Sequence, residues 1–451
     1  MHRPSSTPFV AIACGGTGGH LFPGLAVAEE LIQRDCDVMV LISPKEVDQQ
    51  AVRSAFGMEV VTLPAVGLTR GGFLGFISGF RKSHRAARNL FRDKVPQAVL
   101  AMGGFTSAPP ILAGKKLGAK TFLHESNSIP GRANRWLAHF VDEAFVYFHE
   151  ASGRMNIARA RVTGMPVRSQ FLEPMDAASA RMALGLHPEK PVLLVMGGSQ
   201  GASGINHAIL SALPMLAAGS PDLQFLHLAG ANDVEQVQNA YSARKRKAVV
   251  RPFLTEMELA LGAATLAVSR SGASSLAELA AVGLPGILIP YPTATDNHQY
   301  YNALAFVESG AARIFEQSSA TPERLSRVIL GLIESGEERA AIRQALAGWH
   351  SPDAASEIAE HILAAIVKPT SKTALENRSS NNNISGRKPV PGPNERQSAN
   401  LVARVTALRN LGLPAFEGSG PSMHSNFTTT CRPQIGDTAV WKPAPRGYGN
   451  G

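Results

Sequence analysis

The chain has 451 residues, 44% of them hydrophobic and 18% charged, which is enough for two or three domains that each bury a core. Its formal net charge of +9 is concentrated at one end, because residues 368–451 contain 11 Lys and Arg against 4 Asp and Glu. The rest of the chain carries only +2, which excludes a generally basic nucleic-acid-binding protein, so we expect no nucleic-acid partner.

The cysteines and the apolar runs restrict the compartment. Cys14, Cys36 and Cys431 lie far apart and suggest neither a disulfide framework nor a zinc site, which indicates a reducing, cytoplasmic environment. The first apolar run, Phe9–Cys14, is too short for the core of a signal peptide. No run reaches the ~18 apolar residues of a transmembrane helix, so we expect no membrane span.

Continuous apolar runs alternate with helical patterns along the chain, which is typical of parallel sheets covered on both faces. The pattern breaks near residues 162–184, where Gly164, Pro166 and Pro174 interrupt it, and then begins again. The sequence therefore predicts an α/β protein with two doubly wound, Rossmann-like domains facing a cleft. The predicted strands are Phe9–Cys14, Val38–Ile42, Val99–Met102, Lys120–His124, Ala144–Tyr147, Val192–Met196, Gln224–Leu228, Thr265–Val268 and Gly286–Pro290, and the predicted helices include Gly24–Arg34, Ala133–His139, Ile205–Ala217 and Leu276–Val282.

Four segments follow from this pattern. We expect an N-terminal domain at residues 1–165, a C-terminal domain at 166–345 and a closing helix at 346–367 that packs back toward the first domain. Residues 368–451 are rich in Asn, Ser and Pro and have few apolar side chains. Such a segment cannot bury enough surface to offset its ordering entropy, so we expect a disordered basic tail.

Two glycine-rich loops each end a predicted strand and open a predicted helix: Gly15–His20 and Gly197–Gly201. Such loops present backbone N–H groups to an anion. The first is not a dinucleotide fingerprint, because Leu21 stands where the third glycine belongs and no acid follows the second strand. His20 is either a packing residue or a general base beside the substrate, and we favour the base.

Four further groups are less specific. Ser271–Glu278 opens a helix with small residues that suit a pyrophosphate, and Glu278 lies where it could hold a ribose diol, although an ordinary N-cap explains the spacing more simply. Arg168 fits a phosphate ligand or a surface ion pair equally well. Polar residues at His124–Asn127 follow a strand end, where α/β sheets bind ligands. Asp35-Cys36-Asp37 precedes a strand, so we interpret it as a turn and predict no metal site.

Residues 74–92 place apolar side chains just ahead of a basic helix. This pattern fits insertion at an anionic bilayer surface, where each basic residue contributes roughly 1 kcal/mol, and it fits a core helix with a solvated basic face equally well. The residues proposed to meet the membrane or the acceptor are Leu74, Phe76, Ile77, Phe80, Arg81, Lys82 and Arg85.

Taken together in this order, the motifs resemble the family of N-acetylglucosaminyltransferases that make lipid II in peptidoglycan synthesis. The resemblance covers about residues 8–367 and rests on Gly15–His20 with Phe22-Pro23-Gly24, Gly103-Gly104-Phe105, His124–Asn127, Gly197–Gly201, Arg270–Ala273 and His298-Gln299. It implies a two-domain GT-B fold, an inverting transfer from UDP-N-acetylglucosamine (UDP-GlcNAc) to the C4 hydroxyl of lipid I, no cofactor and no bound metal. It also implies a peripheral position at the cytoplasmic face of the bacterial inner membrane, with the anionic membrane surface and other cell-wall synthesis enzymes as further partners.

The resemblance also implies residue roles. His20 or Glu125 would be the general base, with His20 preferred, and lipid I would dock on residues 1–165 while UDP-GlcNAc binds mainly to 166–345. The residues implied to bind UDP-GlcNAc are Thr17, Gly18, Gly19, Asn127, Arg168, Ser199, Leu254, Ala273, Ser274, Ser275, Leu276, Glu278 and Gln299.

Two segments depart from the family pattern, and two rival functions remain. Phe105–Pro109 replaces a more glycine-rich acceptor loop, and Ser274–Ala277 stands where Leu-Thr-Val-Ser is expected. One rival is another GT-B transferase or a UDP-sugar epimerase of the same architecture, and an epimerase would need no apolar and basic acceptor surface. The other is a non-catalytic cell-wall scaffold, which would not need His20, Glu125, Ser199 and Glu278.

Overall fold

The computed structural model describes residues 7–15, 18–45, 58–64, 72–104, 106–155, 157, 159–173, 175–198 and 201–366. Thr17 and Ser199, both expected to bind the donor, lie outside these residues, as does the tail at 368–451. Of Leu74 the structure describes the helical backbone only.

A seven-stranded sheet forms the first lobe. Its strands are β1 (Phe9–Ala13), β2 (Asp37–Ile42), β3 (Glu59–Thr62), β4 (Ala98–Ala101), β5 (Lys120–Glu125), β6 (Glu143–Val146) and β7 (Ala160–Val162), and its helices are α1 (Gly18–Gln33), α2 (Gly72–Asp93), α3 (Ala108–Lys116), α4 (Arg132–Leu137) and α5 (His149–Arg154). All strand pairs are parallel, in the order β3-β2-β1-β4-β5-β6-β7.

A six-stranded parallel sheet forms the second lobe, in the order β10-β9-β8-β11-β12-β13. Its strands are β8 (Val192–Met196), β9 (Gln224–Leu228), β10 (Ala248–Arg251), β11 (Leu266–Ser269), β12 (Gly286–Leu288) and β13 (Ala312–Ile314). The helices are α6 (Ala177–Ala183), α7 (Ser203–Gly219), α8 (Val234–Ala243), α9 (Met257–Ala263), α10 (Ala273–Ala281), α11 (His298–Glu308), α12 (Pro322–Glu334), α13 (Gly336–Ala347) and α14 (Ala354–Ile366), with short 3₁₀ turns at Ser169–Phe171, Thr295–Asn297 and Gln317–Ser319.

The continuous apolar character of β1 follows from its position between two layers of helices. Val10 and Ile12 pack in one buried cluster, whereas Ala11 and Ala13 pack in another on the opposite face of the sheet. A strand that is buried on both faces has no position for a polar side chain. The predicted α/β class with two doubly wound parallel sheets is thereby confirmed.

The last described helix returns to the first lobe. Ile358, Ala359 and Ile362 of α14 are buried in the same cluster as Val10 and Ile12 of β1. The chain therefore crosses to the second lobe near Gly164 and completes the first core with its final helix. Among the described helices, none is both long and apolar enough to cross a bilayer.

Both sheets reverse their strand order beside their first strand. The reversals lie between β1 and β4 in the first lobe and between β8 and β11 in the second. Loops that leave the carboxyl ends of two such strands run in opposite directions and open a crevice, which is where open α/β sheets bind ligands. Each predicted glycine loop follows β1 or β8, so each lies at a reversal point.

Candidate active site

The first glycine loop is held against its neighbours by close backbone approach. A side chain at Gly15 would clash with the backbone of Ser43, in the loop that follows β2. On the other side, Thr106 Oγ1 donates a hydrogen bond to the carbonyl oxygen of Gly15 at 2.5 Å, and Ser107 Oγ donates to that of Ala13 at 2.9 Å. In the segment that departs from the family pattern, these hydroxyls tie the loop after β4 to the end of β1.

His20 lies in the first turn of α1, and its ring packs against the turn after β4. A Cβ atom on Gly103 would lie 2.8 Å from His20 Cε1, and Gly103 has a φ of +116°, so only glycine fits at this position. The imidazole is partly buried. It is therefore held at the reversal point of the first sheet, where a substrate would enter.

Glu125, the second candidate base, ends β5 with both carboxylate oxygens occupied. Oε1 accepts from the backbone N–H of Asn127 at 2.8 Å and from Asn127 Nδ2 at 3.2 Å. Oε2 accepts from the backbone N–H of Gly131 and from Asn134 Nδ2, both at 2.9 Å. Burial raises the pKa of Glu125, and these four bonds oppose the rise because they stabilise the carboxylate.

The second glycine loop requires glycine for a similar reason. Gly198 and Gly201 have φ values of +90° and +74°, and a Cβ atom on Gly201 would lie 2.5 Å from the carbonyl oxygen of Ala229. The loop therefore passes directly over the end of β9. The next helix, α7, begins at Ser203.

The start of α10 supplies donors for an anion. Its N-cap is Gly272, and no side chain caps the helix. The first-turn N–H groups of a helix have no intrahelical partner, so here they remain available to a phosphate group. Ser274 Oγ donates to the carbonyl oxygen of Gly19 at 3.2 Å, which brings this helix start against the first glycine loop of the other lobe.

Glu278 and Arg168 lie behind this contact. Burial raises the pKa of the partly buried Glu278 to about 7, an effect that the charge of Arg168 opposes and that of Glu258 reinforces. The Arg168 guanidinium lies 4.4 Å from the ring centre of Phe22 and 4.8 Å from that of Phe171. Its Nε is buried and has no hydrogen-bond partner among the described residues. Two aromatic rings, rather than an ion pair at hydrogen-bond distance, thus fix the position of this cation.

Gln299 and Leu254 lie at the same edge of the second sheet. The carbonyl oxygen of Gln299 accepts from Ser271 Oγ at 2.7 Å, and its Oε1 accepts from the backbone N–H of Tyr291 at 3.0 Å. Leu254 follows β10 and packs, partly buried, against the core of the second lobe. Its backbone is thus placed in a loop at the carboxyl edge, as the resemblance requires.

Asn302 lies at the junction of the two lobes and was not predicted from the sequence. It is fully buried on α11, and its Oδ1 accepts from the backbone N–H of Ser128 at 2.9 Å. Its Nδ2 donates to Asn127 Oδ1 at 3.0 Å and to the carbonyl oxygen of Ser271 at 3.3 Å. The only signal in the sequence is a polar residue on the buried side of a helix whose other buried residues, Ala303 and Phe306, are apolar.

A second junction was also missed. Asp296 accepts from Arg132 at 3.0 Å and from Arg135 at 2.8 Å, so it ties the loop before α11 to α4 of the first lobe. Asp296 and the following Asn297 both have a φ of +52°. Two consecutive left-handed residues without glycine are energetically costly and occur mostly at functional sites.

The surface predicted to meet the membrane is built from α2 and extended by α4. Phe76 and Phe80 lie 6.2 Å apart and are partly buried, whereas the basic residues that follow are exposed. Trp136 of α4, absent from the prediction, is 44% exposed and packs edge-on against Phe80 at 6.4 Å. We call Phe76, Ile77, Phe80 and Trp136, with the exposed Arg81, Lys82 and Arg85, the aromatic-basic surface.

Asp35 and Cys36 lie in the turn between α1 and β2, as predicted, whereas Asp37 is the first residue of β2. Asp35 has a φ of +57° between α1 and β2, and Asp37 pairs with Lys94 at 3.1 Å. The segment lies at the amino end of β2, opposite the glycine loops. Within the part of the chain that the structure describes, no group of three or more His, Cys, Asp or Glu is arranged to hold a metal ion.

Both lobes match domains of one glycosyltransferase family. Residues 10–146 match the glycosyltransferase family 28 N-terminal domain and residues 192–358 match the glycosyltransferase family 28 C-terminal domain. The two matched domains correspond to the two lobes, so the chain is a glycosyltransferase of this family.

Individual proteins that are similar to this chain define its family more closely. The UDP-N-acetylglucosamine–N-acetylmuramyl-(pentapeptide) pyrophosphoryl-undecaprenol N-acetylglucosamine transferase of Syntrophus aciditrophicus is 37% identical over 70% of this chain and 87% of its own length. The enzyme of the same name from Desulforudis audaxviator is 36% identical over 78% of this chain and 97% of its own length. The crystal structure of MurG from Acinetobacter baumannii superposes with a TM-score of 0.62 at 27% identity, covering 79% of this chain and 99% of that one. The chain belongs to the MurG family.

The likeness extends to a rival class, but only at the level of the fold. The structure of the UDP-GlcNAc 2-epimerase from Neisseria meningitidis bound to UDP-GlcNAc superposes with a TM-score of 0.61 at 15% identity, over 79% of this chain and 100% of that one. At that identity the superposition shows a shared architecture and not a shared reaction.

Proposed function

We propose that the chain transfers N-acetylglucosamine from UDP-GlcNAc to the C4 hydroxyl of the N-acetylmuramyl residue of lipid I, giving lipid II and UDP. One observation carries the proposal beyond family membership. His20 of the first lobe and the uncapped start of α10 of the second lobe meet across one crevice, where Ser274 bonds to Gly19. A proton acceptor and an anion site are what an inverting transfer needs on the two sides of the sugar.

The reaction is a single displacement at the anomeric carbon. His20 accepts the proton of the acceptor hydroxyl while its oxygen bonds to that carbon, and the bond from the carbon to the β-phosphate oxygen breaks. The negative charge that develops on UDP is stabilised by the N–H groups at the start of α10. Arg168, held by Phe22 and Phe171, adds a positive charge on the nucleotide side. No cofactor and no bound metal is part of this scheme.

Donor binding is assigned mainly to residues 166–345. The backbone at Leu254 contacts the uracil, Glu278 the ribose, and the segment Ala273–Leu276 the diphosphate, while Gln299 and Asn127 contact the sugar. The first glycine loop, with Thr17, Gly18 and Gly19, closes over the donor from the other lobe, and Ser199 completes the diphosphate site. The hydrogen bond between Ser274 and Gly19 supports an arrangement in which both loops face one ligand.

Acceptor binding and membrane association are assigned to residues 1–165. The aromatic-basic surface combines partly buried and exposed rings with exposed cations, a combination that suits the interface of an anionic bilayer. We place the protein at the cytoplasmic face of the bacterial inner membrane, where the polyprenyl chain of lipid I lies in the bilayer. Other enzymes of cell-wall synthesis are proposed as further partners there.

Product analysis tests the proposed function. The full-length protein is incubated with UDP-GlcNAc and a lipid I analogue, and the products are identified by mass spectrometry. We expect one hexosamine added to the analogue and one UDP released for each transfer. Conversion of UDP-GlcNAc to its C2 epimer without acceptor, or donor binding with no product, would contradict the proposal and favour the epimerase or the scaffold.

A further inference from the structure

We propose that Asn302 is a positioning residue of the transfer, one that orients the amide of Asn127 toward the donor sugar and does so only when the two lobes are in contact. The inference rests on the proposed function, because it concerns recognition of the same UDP-GlcNAc. It starts from the location of Asn302, which is fully buried on α11, three residues after Gln299.

Asn302 uses three of its four hydrogen-bonding positions on two other segments of the chain. Its Oδ1 accepts from Ser128 N–H of the first lobe, and its Nδ2 donates to Asn127 Oδ1 of the same loop. The remaining Nδ2 hydrogen points to the carbonyl oxygen of Ser271, in the loop that precedes α10. One carboxamide therefore joins the loop after β5, the loop after β11 and the helix that carries Gln299.

These bonds fix the polarity of the Asn127 amide. Its Nδ2 donates to Glu125 Oε1 at 3.2 Å, while its Oδ1 accepts from Asn302 Nδ2 at 3.0 Å. A reversed amide would set oxygen against a carboxylate and an NH₂ group against an NH₂ group. Glu125 cannot adapt, because its other oxygen is held by Gly131 and Asn134. An amide oxygen can accept two hydrogen bonds, so Asn127 Oδ1 keeps a defined site for a sugar hydroxyl.

The polarity depends on both lobes. Asn127 belongs to the first lobe and Asn302 to the second, so the amide is fixed only when α11 lies against the loop after β5. Leu254 and Glu278, assigned to the nucleotide, take no part in these bonds. Asn302 touches the diphosphate site only through the Ser271 carbonyl ahead of α10. Loss of its carboxamide should therefore weaken recognition of the sugar and affect recognition of UDP much less.

The substitution Asn302→Asp tests this directly. It preserves the shape and the acceptor for Ser128 N–H, but it places a carboxylate oxygen opposite Asn127 Oδ1 and the Ser271 carbonyl. We expect the Kd for UDP-GlcNAc to rise about tenfold while the Kd for UDP changes less than about twofold, both by isothermal titration calorimetry. The matched control is Gln224→Glu. Gln224 is a buried amide of the same lobe, it lies at the amino end of β9, and it hydrogen-bonds to His187 and Lys190. This control should leave both affinities unchanged.

A double-mutant cycle separates positioning from a general structural role. If Asn302 acts through Asn127, Asn302→Asp should have almost no further effect on sugar affinity once Asn127 is Ala. Equal loss of UDP and UDP-GlcNAc affinity, or a full effect that persists in the Asn127→Ala background, would overturn the proposal. Asn302→Ser, which removes the carboxamide without adding charge, provides the same comparison if Asn302→Asp does not fold. Absence of transfer by the wild-type protein would overturn the proposed acceptor, whereas this test depends only on donor binding.

Discussion

At the residue scale, His20 and Glu125 differ in how the structure holds them. Glu125 ends β5, and His20 lies in the first turn of α1, both at the carboxyl edge of the first sheet. Glu125 accepts four hydrogen bonds, two of them from backbone N–H groups. A carboxylate held in this way orders the loop at residues 125–134 and has little freedom to take a proton from a substrate. The His20 ring packs against Gly103, next to the crevice.

Replacing His20 should therefore remove the base and little else. We expect His20→Ala to lower kcat by a factor on the order of 10² to 10⁴, with the Kd for UDP-GlcNAc nearly unchanged. Steady-state kinetics and calorimetry measure the two quantities. His187→Ala, an exposed histidine at the far edge of the second lobe, is the control and should retain full turnover. A folded His20→Ala enzyme with an unchanged rate, beside an inactive Glu125→Gln, would transfer the role to Glu125.

The partly buried carboxylate of Glu278 should lower the stability of the folded protein and strengthen binding of the donor. Because the pKa of Glu278 is raised to about 7 in the folded protein, the folded state binds a proton more tightly than the unfolded state does. Its contribution to stability is thus most favourable below the ordinary pKa of 4.5 and is lost as the pH rises through about 7. We expect Glu278→Gln to raise Tm relative to the wild type at pH 8 and to show a smaller difference at pH 5.5.

The same substitution should weaken binding of the donor. A carboxylate can accept from both ribose hydroxyls, whereas Gln can accept through one oxygen only, so we expect the Kd for UDP-GlcNAc to rise roughly tenfold at pH 8. The wild-type affinity should also fall as the pH drops from 8 to 6, and the affinity of Glu278→Gln should be flat over that range. A parallel pH profile in both proteins would exclude Glu278 from ribose binding.

At the scale of elements, the strands that the sequence did not predict are β3, β7, β10 and β13, the four edge strands of the two sheets. An edge strand has one paired neighbour and partial exposure, and these strands contain exposed residues within only three or four positions. They therefore lack the continuous apolar run that revealed the central strands. The central strands were predictable because both of their faces are buried.

The sequence predicted the glycine loops for a related reason. Gly103, Gly198 and Gly201 have positive φ values, and Gly201 also lies against the backbone of Ala229. These conformations favour glycine, so the constraint is visible in the residue type. The residue types of Asn302 and Asp296 reveal no comparable constraint. The partners of Asn302 in the first lobe are 174 and 175 residues away, and only the fold brings them together.

The aromatic-basic surface joins two elements and predicts how the protein meets a bilayer. We expect the double substitution Arg81→Glu and Lys82→Glu to reduce binding to vesicles that contain phosphatidylglycerol by roughly tenfold or more, because each cation near such a surface contributes roughly 1 kcal/mol. Vesicle sedimentation measures the binding.

The control for this surface is the pair Arg244→Glu and Lys245→Glu, an equal charge reversal on exposed residues of the second lobe. It should leave vesicle binding unchanged. Equal loss of binding in both double variants would mean that net charge, rather than this surface, attracts the protein to the membrane.

At the scale of the whole molecule, the two sheets share the order of six strands. The lobes meet through a buried aromatic cluster, in which Phe148 packs against Phe306 and Trp349, and through a few polar contacts. The ion pairs of Asp296 with Arg132 and Arg135 are exposed, whereas the hydrogen bonds of Asn302 are buried. Exposed ion pairs are screened by salt, and buried hydrogen bonds are screened much less. The crevice should therefore close through a salt-sensitive contact at its rim and a salt-insensitive contact at its centre.

Asp296→Asn tests this division. We expect the Kd for UDP-GlcNAc to rise roughly twofold at low salt and to depend less steeply on ionic strength than in the wild type. Calorimetry at low salt and at about 0.5 M NaCl provides the comparison. Asp222→Asn, which breaks an exposed pair with Lys190 at the opposite edge, is the matched control and should behave like the wild type. An unchanged salt dependence in Asp296→Asn would exclude this ion pair from closure.

We infer that groups of both lobes carry out a single inverting displacement. The anomeric configuration of the disaccharide formed from UDP-GlcNAc and a lipid I analogue, determined by NMR with EDTA present, tests this mechanism. Because the donor is the α-anomer, we expect a β-linked product at an undiminished rate. An α-linked product would contradict the single displacement. Activity that EDTA abolishes and Mg²⁺ restores would contradict the role given to α10 and Arg168 in stabilising the departing UDP.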